Sequence, residues 1–308
     1  MGMWIDTDMG FDDIAAILVV AASGHVIDGV SLVFGNAPLD QVRKNAAGAA
    51  SAFSWRFPIH VGRAKPVLAE IETAQRILGE TGIPTVGATL PTSDDLPPSN
   101  AFEALCQWLA EGAGEKKILA LGPLTNIAAV CLARPDLVGR ITELTWMGGG
   151  VTLGNHTASA EFNVFADPEA AAIVIAHGLP LRMVDLDFCR KVTASLGDVT
   201  PIRQAGGKNA TLLADMLEGF INIAVSRGRD AMALYDPCAA VAVVDPESVT
   251  WKPARIDIEL QGGLTRGRTV VEARPAHAER FNAHYAESVD ADHARKIILG
   301  SLEAEASR

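Results

Sequence analysis

Apolar positions in the first half of the chain fall into runs that alternate between strand length and helix length. Residues 3–5 are short and apolar, and residues 11–22 are apolar over a helical length. Residues 26–34, rich in Val, Ile, Leu and Phe, predict a buried strand. A helix of small residues follows at 41–53, and a strand at 59–61. The alternation resumes with a strand at 117–121, a helix at 124–133 and a strand at 141–147. Asp167 and Pro168 predict a helix start, with Asp as the cap and Pro at the first helical position. Residues 170–176 continue that helix, Gly178 ends it, and residues 181–186 return as a strand. This order predicts an α/β fold, a mostly parallel central sheet flanked by helices, because apolar strands joined through helices must be covered on both faces. Ligands of such open sheets bind beyond the carboxyl ends of the strands. Segment 62–100 breaks the pattern with Pro66, Pro84, Pro91, Pro97 and Pro98, and reads as a long loop or flap. The chain shows no internal repeat, low-complexity tract or linker.

Composition narrows the partners. With 308 residues, 49% of them hydrophobic, the chain can bury a large core, as one big domain or two ordinary ones. A formal net charge of −11 argues against nucleic acid, whose phosphates need clustered Lys and Arg. It leaves room for a small neutral substrate or a divalent cation. Cys106, Cys131, Cys189 and Cys238 form no C-x-x-C pair and have no His at zinc-ligand spacing, so free buried thiols are expected. Charges between Met1 and Asp13 stand where a signal peptide needs its apolar core, and no apolar run reaches the roughly 20 residues that span a bilayer. The expectation is a cytoplasmic protein without a membrane partner.

The chemistry concentrates at the first strand–helix junction. Asp6, Asp8, Asp12 and Asp13 lie within eight residues, with Gly10 between them permitting a tight turn. Asp6 and Asp8 share one side of an extended chain, and Asp12 and Asp13 occupy the first helical turn, where the helix dipole favours negative charge. Capping needs one or two such residues. Four packed together repel, and burial raises their pKa values unless a cation is present. A hard divalent cation with oxygen ligands is the natural occupant. An EF-hand fails, because its fifth and twelfth positions counted from Asp6 are Gly10 and Ile17. The D-x-D-x-T/V pattern of aspartyl phosphotransferases has Gly10 in place of Thr and leaves Asp12 and Asp13 unexplained.

The stretch instead resembles the D-T-D-x-G-x-D-D signature of the inosine-uridine nucleoside hydrolases. Further blocks follow in the family's order. Val33, Phe34, Gly35 and Asn36 resemble its second strand end, and Asn45 and Ala46 follow at the usual distance. Leu121-Gly122-Pro123-Leu124-Thr125-Asn126 resembles its L-G-P-L-T-N turn. Met147-Gly148-Gly149, Gly154-Asn155, Ala160-Glu161-Phe162-Asn163 and Asp167-Pro168-Glu169-Ala170 resemble its central block. Asp236-Pro237 matches a late Asp-Pro, and Gly263-Leu264-Thr265-Arg266-Gly267 a C-terminal turn. The resemblance covers essentially the whole chain. It implies one nucleoside hydrolase domain over residues 1–308, built on a Rossmann-like open sheet, that hydrolyses the N-glycosidic bond of a ribonucleoside. It also implies a homodimer or homotetramer.

The resemblance further implies a Ca²⁺ cofactor, held by the carboxylates of Asp8, Asp13 and Asp236 and by the backbone carbonyl of Thr125. Asp8 would double as general base toward the attacking water, with Asp6 orienting a ligand from behind. Asp12, Asn36, Asn155, Glu161 and Asn163 would contact ribose hydroxyls, with Met147 and Phe162 beside them. Glu161 and Asn163, two apart, would point to the same side of an extended segment, although the family's placement of Phe162 near substrate argues for an irregular backbone.

Leaving-group assistance is where the chain departs from the family pattern. Pyrimidine-cleaving and broad-specificity relatives carry His directly before the late Asp-Pro, where this chain has Tyr235, and a V-H-G in the loop region, where it has Ile77-Leu78-Gly79. Of the remaining histidines only His156, beside Asn155, is placed to reach the site, and an exposed position suits it equally. Tyr235 can stack on a base or donate through its phenol, which makes it the catalytic candidate at this end. The aromatic residue and the missing imidazoles lean toward purine nucleosides. Arg227, about two helical turns before Tyr235 on an expected approach helix, is a candidate for the base pocket. A non-catalytic nucleoside-binding protein and an aspartyl phosphotransferase are the competing readings.

Overall fold

The computed structural model describes residues 2–93 and 96–308. Strands β1 (Gly2–Thr7), β2 (Val26–Leu32), β3 (Ile59–Val61), β4 (Lys117–Ala120), β5 (Glu143–Met147) and β6 (Leu181–Val184) run parallel in the spatial order β3-β2-β1-β4-β5-β6. Strands β7 (Thr193–Ser195) and β8 (Ala231–Ala233) form a separate antiparallel ribbon. Strands β9 (Val249–Ile258), β10 (Thr269–Glu272) and β11 (Ala283–Val289) extend the main sheet past β6. There β11 pairs parallel to β6, and β9 and β10 pair antiparallel. The order reverses between β1 and β4, the switch point of a doubly wound sheet, where a crevice opens beyond the strand ends.

The strands alternate their side chains between two cores. Met3 and Ile5 of β1 face the helices Phe11–Ala22, Ala210–Val225, Tyr235–Val244 and Ala291–Ala306, while Trp4 faces Ala101–Ala110, Thr125–Ala133 and Pro168–Ala176. Helix Phe11–Ala22 is buried from Ile14 to Val20, because it lies between the sheet and two further helices. Asp167 caps Pro168–Ala176 by accepting from Ala170 N at 3.0 Å, as its sequence predicts. Strand β2 ends at Leu32, and Val33 and Phe34, expected within it, leave the sheet to pack with Ala166 and Phe162. The irregular segment 62–100 contains one short helix, Gln75–Leu78, among its described residues; 94 and 95 lie outside them. All four cysteines are free and buried, as expected. Among the described residues no helix is long and apolar enough to cross a membrane.

Candidate active site

The turn after β1 is folded around Asp13. Its Oδ1 accepts from the Thr7 hydroxyl and from Asp8 N at 3.2 Å, and its Oδ2 accepts from Gly10 N at 2.8 Å. The left-handed residue of this turn is Met9, at φ 47°, whereas Gly10 has an ordinary φ of −82°. Gly10 is small for another reason: a Cβ there would lie 2.4 Å from Asn36 Nδ2. The strained Met9 is held from both sides, its N–H donating to Thr7 Oγ1 at 3.0 Å and its carbonyl accepting from Asn45 Nδ2 at 3.2 Å. Asn45 Nδ2 also donates to Thr81 O at 2.8 Å, which ties the flap to the turn.

Asn36 joins the end of β2 to the same turn. Its backbone N–H donates to Asp8 Oδ2 at 2.8 Å, and its Nδ2 to Asp8 Oδ1 at 2.8 Å and Asp13 Oδ2 at 3.1 Å. The approach is possible because residue 35 is Gly: a Cβ on Gly35 would sit 1.9 Å from Asp8 Oδ2. Asp6 turns elsewhere. Its Oδ1 accepts from the Ser31 hydroxyl and from Asn126 Nδ2 at 2.7 Å, its Oδ2 is buried without a partner, and it does not line the cavity. Asp6 therefore braces the strand ends beside the Asp8 turn, and its carboxylate does not join that of Asp8.

Asp8 and Asp12 meet Asp236, the second residue of helix Tyr235–Val244, across one cavity that opens at the carboxyl ends of β1, β2, β4 and β5. Asp12, Asp13 and Asp236 each offer an oxygen within 4.8 Å of the others. Burial, and then the neighbouring carboxylates, push Asp8 and Asp236 well above the usual carboxylate range and Asp12 up to about 7. Burial raises Asp13 as well, against the opposing hydrogen bonds from Thr7 and Gly10. Among the described residues no Lys or Arg forms an ion pair with any of the four. Oxygens around one Ca²⁺ lie at most about 5 Å apart, since Ca–O distances are about 2.3–2.6 Å. The cluster is all oxygen, largely buried, and has no ion-paired Lys or Arg among the described residues, so a hard dication fits it. The Thr125 side chain faces away, donating to Asp167 Oδ2 at 2.7 Å.

The neighbouring wall comes from the end of β5 and the helix Phe162–Ala166. Glu161 is the N-cap of that helix, accepting from Asn163 N at 2.9 Å and Val164 N at 3.2 Å, and it reaches Gly149 N at 2.9 Å. Burial pushes it up to about 7 against these hydrogen bonds. Glu161 and Asn163 thus meet the cavity from a cap and a helical turn, not from a regular extended segment, in line with the irregular backbone for which the placement of Phe162 argued. Asn163 Nδ2 donates to Leu121 O at 2.9 Å and Met147 O at 3.0 Å, which leaves its amide oxygen for the cavity. Asn155 Oδ1 accepts from Phe162 N at 2.9 Å. Asn36, Met147, Asn155, Glu161, Phe162 and Asn163 all line the cavity.

The outer end is assembled from distant segments. Tyr235 stands edge-on to Phe220, with ring centroids 6.5 Å apart, and burial raises its phenol further above the ordinary range. Phe220, Ile223, Met232, Ile77 and Leu78 complete the apolar wall, and of these only Ile77 and Leu78 were singled out by sequence. Arg227 does line the cavity, but from the turn after helix Ala210–Val225; β8 separates it from Tyr235, so the two share no helix. His156, for which exposure was an equal expectation, lines the cavity too, together with Glu72 and Arg76 of the flap.

The chain matches the sequence profile of "Inosine-uridine preferring nucleoside hydrolase" over residues 3–296. It is 32% identical over 304 residues to the inosine-uridine preferring nucleoside hydrolase of Leishmania major, covering 97% of this chain and 96% of that one. It is also 32% identical over 273 residues to a pyrimidine-specific ribonucleoside hydrolase of Salmonella typhimurium, covering 87% of each. Among solved structures, a purine-preferring ribonucleoside hydrolase from Gardnerella vaginalis superposes with a TM-score of 0.91 at 24% identity, over 100% of this chain and 99% of that one. An inosine-guanosine nucleoside hydrolase superposes at 0.87 and 25% identity, over 98% of each. Matched by the family's profile over residues 3–296 and 32% identical to a relative over nearly its whole length, the chain belongs to the inosine-uridine preferring nucleoside hydrolase family and hydrolyses ribonucleosides.

Proposed function

We propose that the protein is a Ca²⁺-dependent ribonucleoside hydrolase that favours purine nucleosides. The observation that carries the metal is the group of carboxylates, raised by burial and by one another, with no Lys or Arg among the described residues in an ion pair with them. Asp8, Asp13 and Asp236, with the Thr125 carbonyl, would hold the ion, and Asp12 offers an oxygen within 4.8 Å of oxygens of Asp13 and Asp236. When bound, the dication supplies positive charge that acidifies water and attracts vicinal hydroxyls. Asp8, fixed at both oxygens by Asn36, accepts the proton of the attacking water. Asn36, Asn155, Glu161, Asn163 and Asp12 bind the ribose hydroxyls, with Met147 beneath the sugar and Phe162 at its edge. The C1′–N bond then breaks toward the outer end, and water's oxygen ends on C1′.

Tyr235 serves the base as an aromatic wall. Its phenol, raised by burial, is a poor acid, while its ring and the apolar groups around it suit a flat heterocycle. The absence of imidazole at positions 78 and 235 favours purines, which accept a proton on the imidazole side of the ring. The protein acts in the cytoplasm, as one domain, assembled as a dimer or tetramer. The test is release of reducing sugar from inosine, adenosine, guanosine, uridine and cytidine, after exhaustive chelation and after calcium is returned. Purines should lead, chelation should abolish turnover, and calcium should restore it. Uridine outrunning inosine would remove the purine preference; unchanged turnover after chelation would remove the metal.

A further inference from the structure

Of the histidines among the described residues, His156 alone lines the cavity, and nothing above gives it work. Its side chain is only 17% exposed. The ring packs against two aromatics of helix Phe162–Ala166, with centroids 4.4 Å from Phe165 and 5.5 Å from Phe162. Nε2 lies 3.7 Å from Glu72 Oε1, at ion-pair distance, and no hydrogen bond among the described residues engages Nδ1. A carboxylate 3.7 Å from one ring nitrogen, at ion-pair rather than hydrogen-bond distance, and an unengaged nitrogen on the other, in the wall of a cavity, place this imidazole to give a proton.

We propose that His156, oriented by Glu72, is the acid that protonates the departing base. This rests on the nucleoside hydrolase reading of the cavity. As the C1′–N bond breaks, its electron pair goes to the base, and a ring nitrogen of the base takes the proton from His156. Water gives its oxygen and one hydrogen to C1′ and its other proton to Asp8. Asp8 releases that proton to solvent and His156 regains one, so the sum is nucleoside plus water to ribose plus neutral base. The charged groups facing His156 are Glu72 and Arg76 of the flap, and helix Phe162–Ala166 presents none. Burial lowers the imidazole pKa, Glu72 raises it and Arg76 lowers it. Glu72 is accordingly a positioning residue that also keeps the acid protonated to higher pH.

The test compares wild type, H156Q and E72Q, as calcium-loaded enzymes, on inosine and on 4-nitrophenyl riboside, whose leaving group departs without a proton. H156Q should lose roughly 10²–10⁴-fold in kcat/KM on inosine. On the nitrophenyl riboside the same variant should lose less than about 10-fold, because no acid is called for. The ratio of the two rates within one sample is the readout, so partial unfolding cancels. E72Q should shift the descending limb of the inosine pH–rate profile to lower pH. Equal losses on both substrates, or none on inosine, would overturn the assignment of His156. An unmoved limb in E72Q would overturn the part given to Glu72. A wild type inert toward both substrates would overturn the hydrolase reading itself, and this inference with it.

Discussion

The two ends of the cavity are built on different principles. The inner end stands on strand termini: Asp8, Asn36, Asp13 and Glu161 are buried, and each is fixed by backbone or amide hydrogen bonds. The outer end stands on a flap and on helix ends, with Glu72, Arg76, Ile77 and Arg227 exposed and contacts made mostly by ring faces and aliphatic groups. Tight polar networks fix geometry to fractions of an ångström, whereas apolar walls set shape and tolerate replacement. On the proposed reading, the inner end takes the metal, the sugar and the attacking water, and the outer end takes the base and its protonation.

The largest expected effects break the inner end. Asp8→Asn keeps an amide of the same shape but loses the base, and should lower kcat by at least about 10³-fold with little change in KM, measured by steady-state kinetics on inosine. Asp13→Ala removes a ligand and the organiser of the turn. Calorimetric titration should then show no calcium binding, and activity should fall to background. Intact calcium binding in Asp13→Ala would contradict the cluster. Next comes the sugar: 2′-deoxyinosine should turn over at least about 10²-fold more slowly than inosine, if the buried polar groups are matched to a ribose hydroxyl. Equal rates would move ribose recognition away from this end.

Smaller effects probe the outer end. Tyr235→Phe should retain most activity on purine nucleosides, and Tyr235→Ala should lose roughly 10-fold or more, which corresponds to about 1.4 kcal/mol for a lost aromatic contact and its buried area. A Phe variant as damaged as the Ala variant would show that the hydroxyl matters. Arg227→Ala, at an exposed position, should change KM by a few-fold at most.

The smallest signal is thermal, and it returns to the inner end. Asp12 and Glu161 have folded-state pKa values near 7, against about 4 when unfolded. The folded state therefore holds more protons than the unfolded one between those values. Stability from this source is complete below about pH 4 and is lost as pH rises through about 7. Metal-free protein should melt progressively lower from pH 5 to pH 8 in scanning calorimetry. The rise in melting temperature on adding calcium should grow over the same window, as the cation replaces the lost protons. A calcium effect independent of pH would separate the raised carboxylates from the metal.

The inner end was legible because its residues are contiguous. Asp6 to Asp13 form one strand–turn–helix junction, and the Gly35-Asn36 pair marks the end of the neighbouring strand. Even there, local geometry escaped the reading. The left-handed residue is Met9 although Gly10 is next to it, because side chains from residues 7 and 45 hold Met9 in place. Glu161 and Asn163 carry no sign of whether their segment is extended or helical until the bonds from Asn163 N and Val164 N to Glu161 are seen. The outer end was mostly illegible for a plainer reason. Phe220 and Ile223 are ordinary apolar positions of a helix, identical in pattern to those that fill a core. Arg227 and Tyr235 are close in sequence, but helix Ala210–Val225 ends before one and a strand intervenes before the other. The three strands β9 to β11 show no clean alternation, since β9 is half-covered along much of its length.

Gly35 gives the mutational landscape its steepest point. With the space for its Cβ already filled by an Asp8 oxygen at 1.9 Å, no other residue fits without displacing that carboxylate. In a saturation library selected for nucleoside cleavage, position 35 should return glycine alone. Position 77, half in solvent on the flap, should return most of the alphabet.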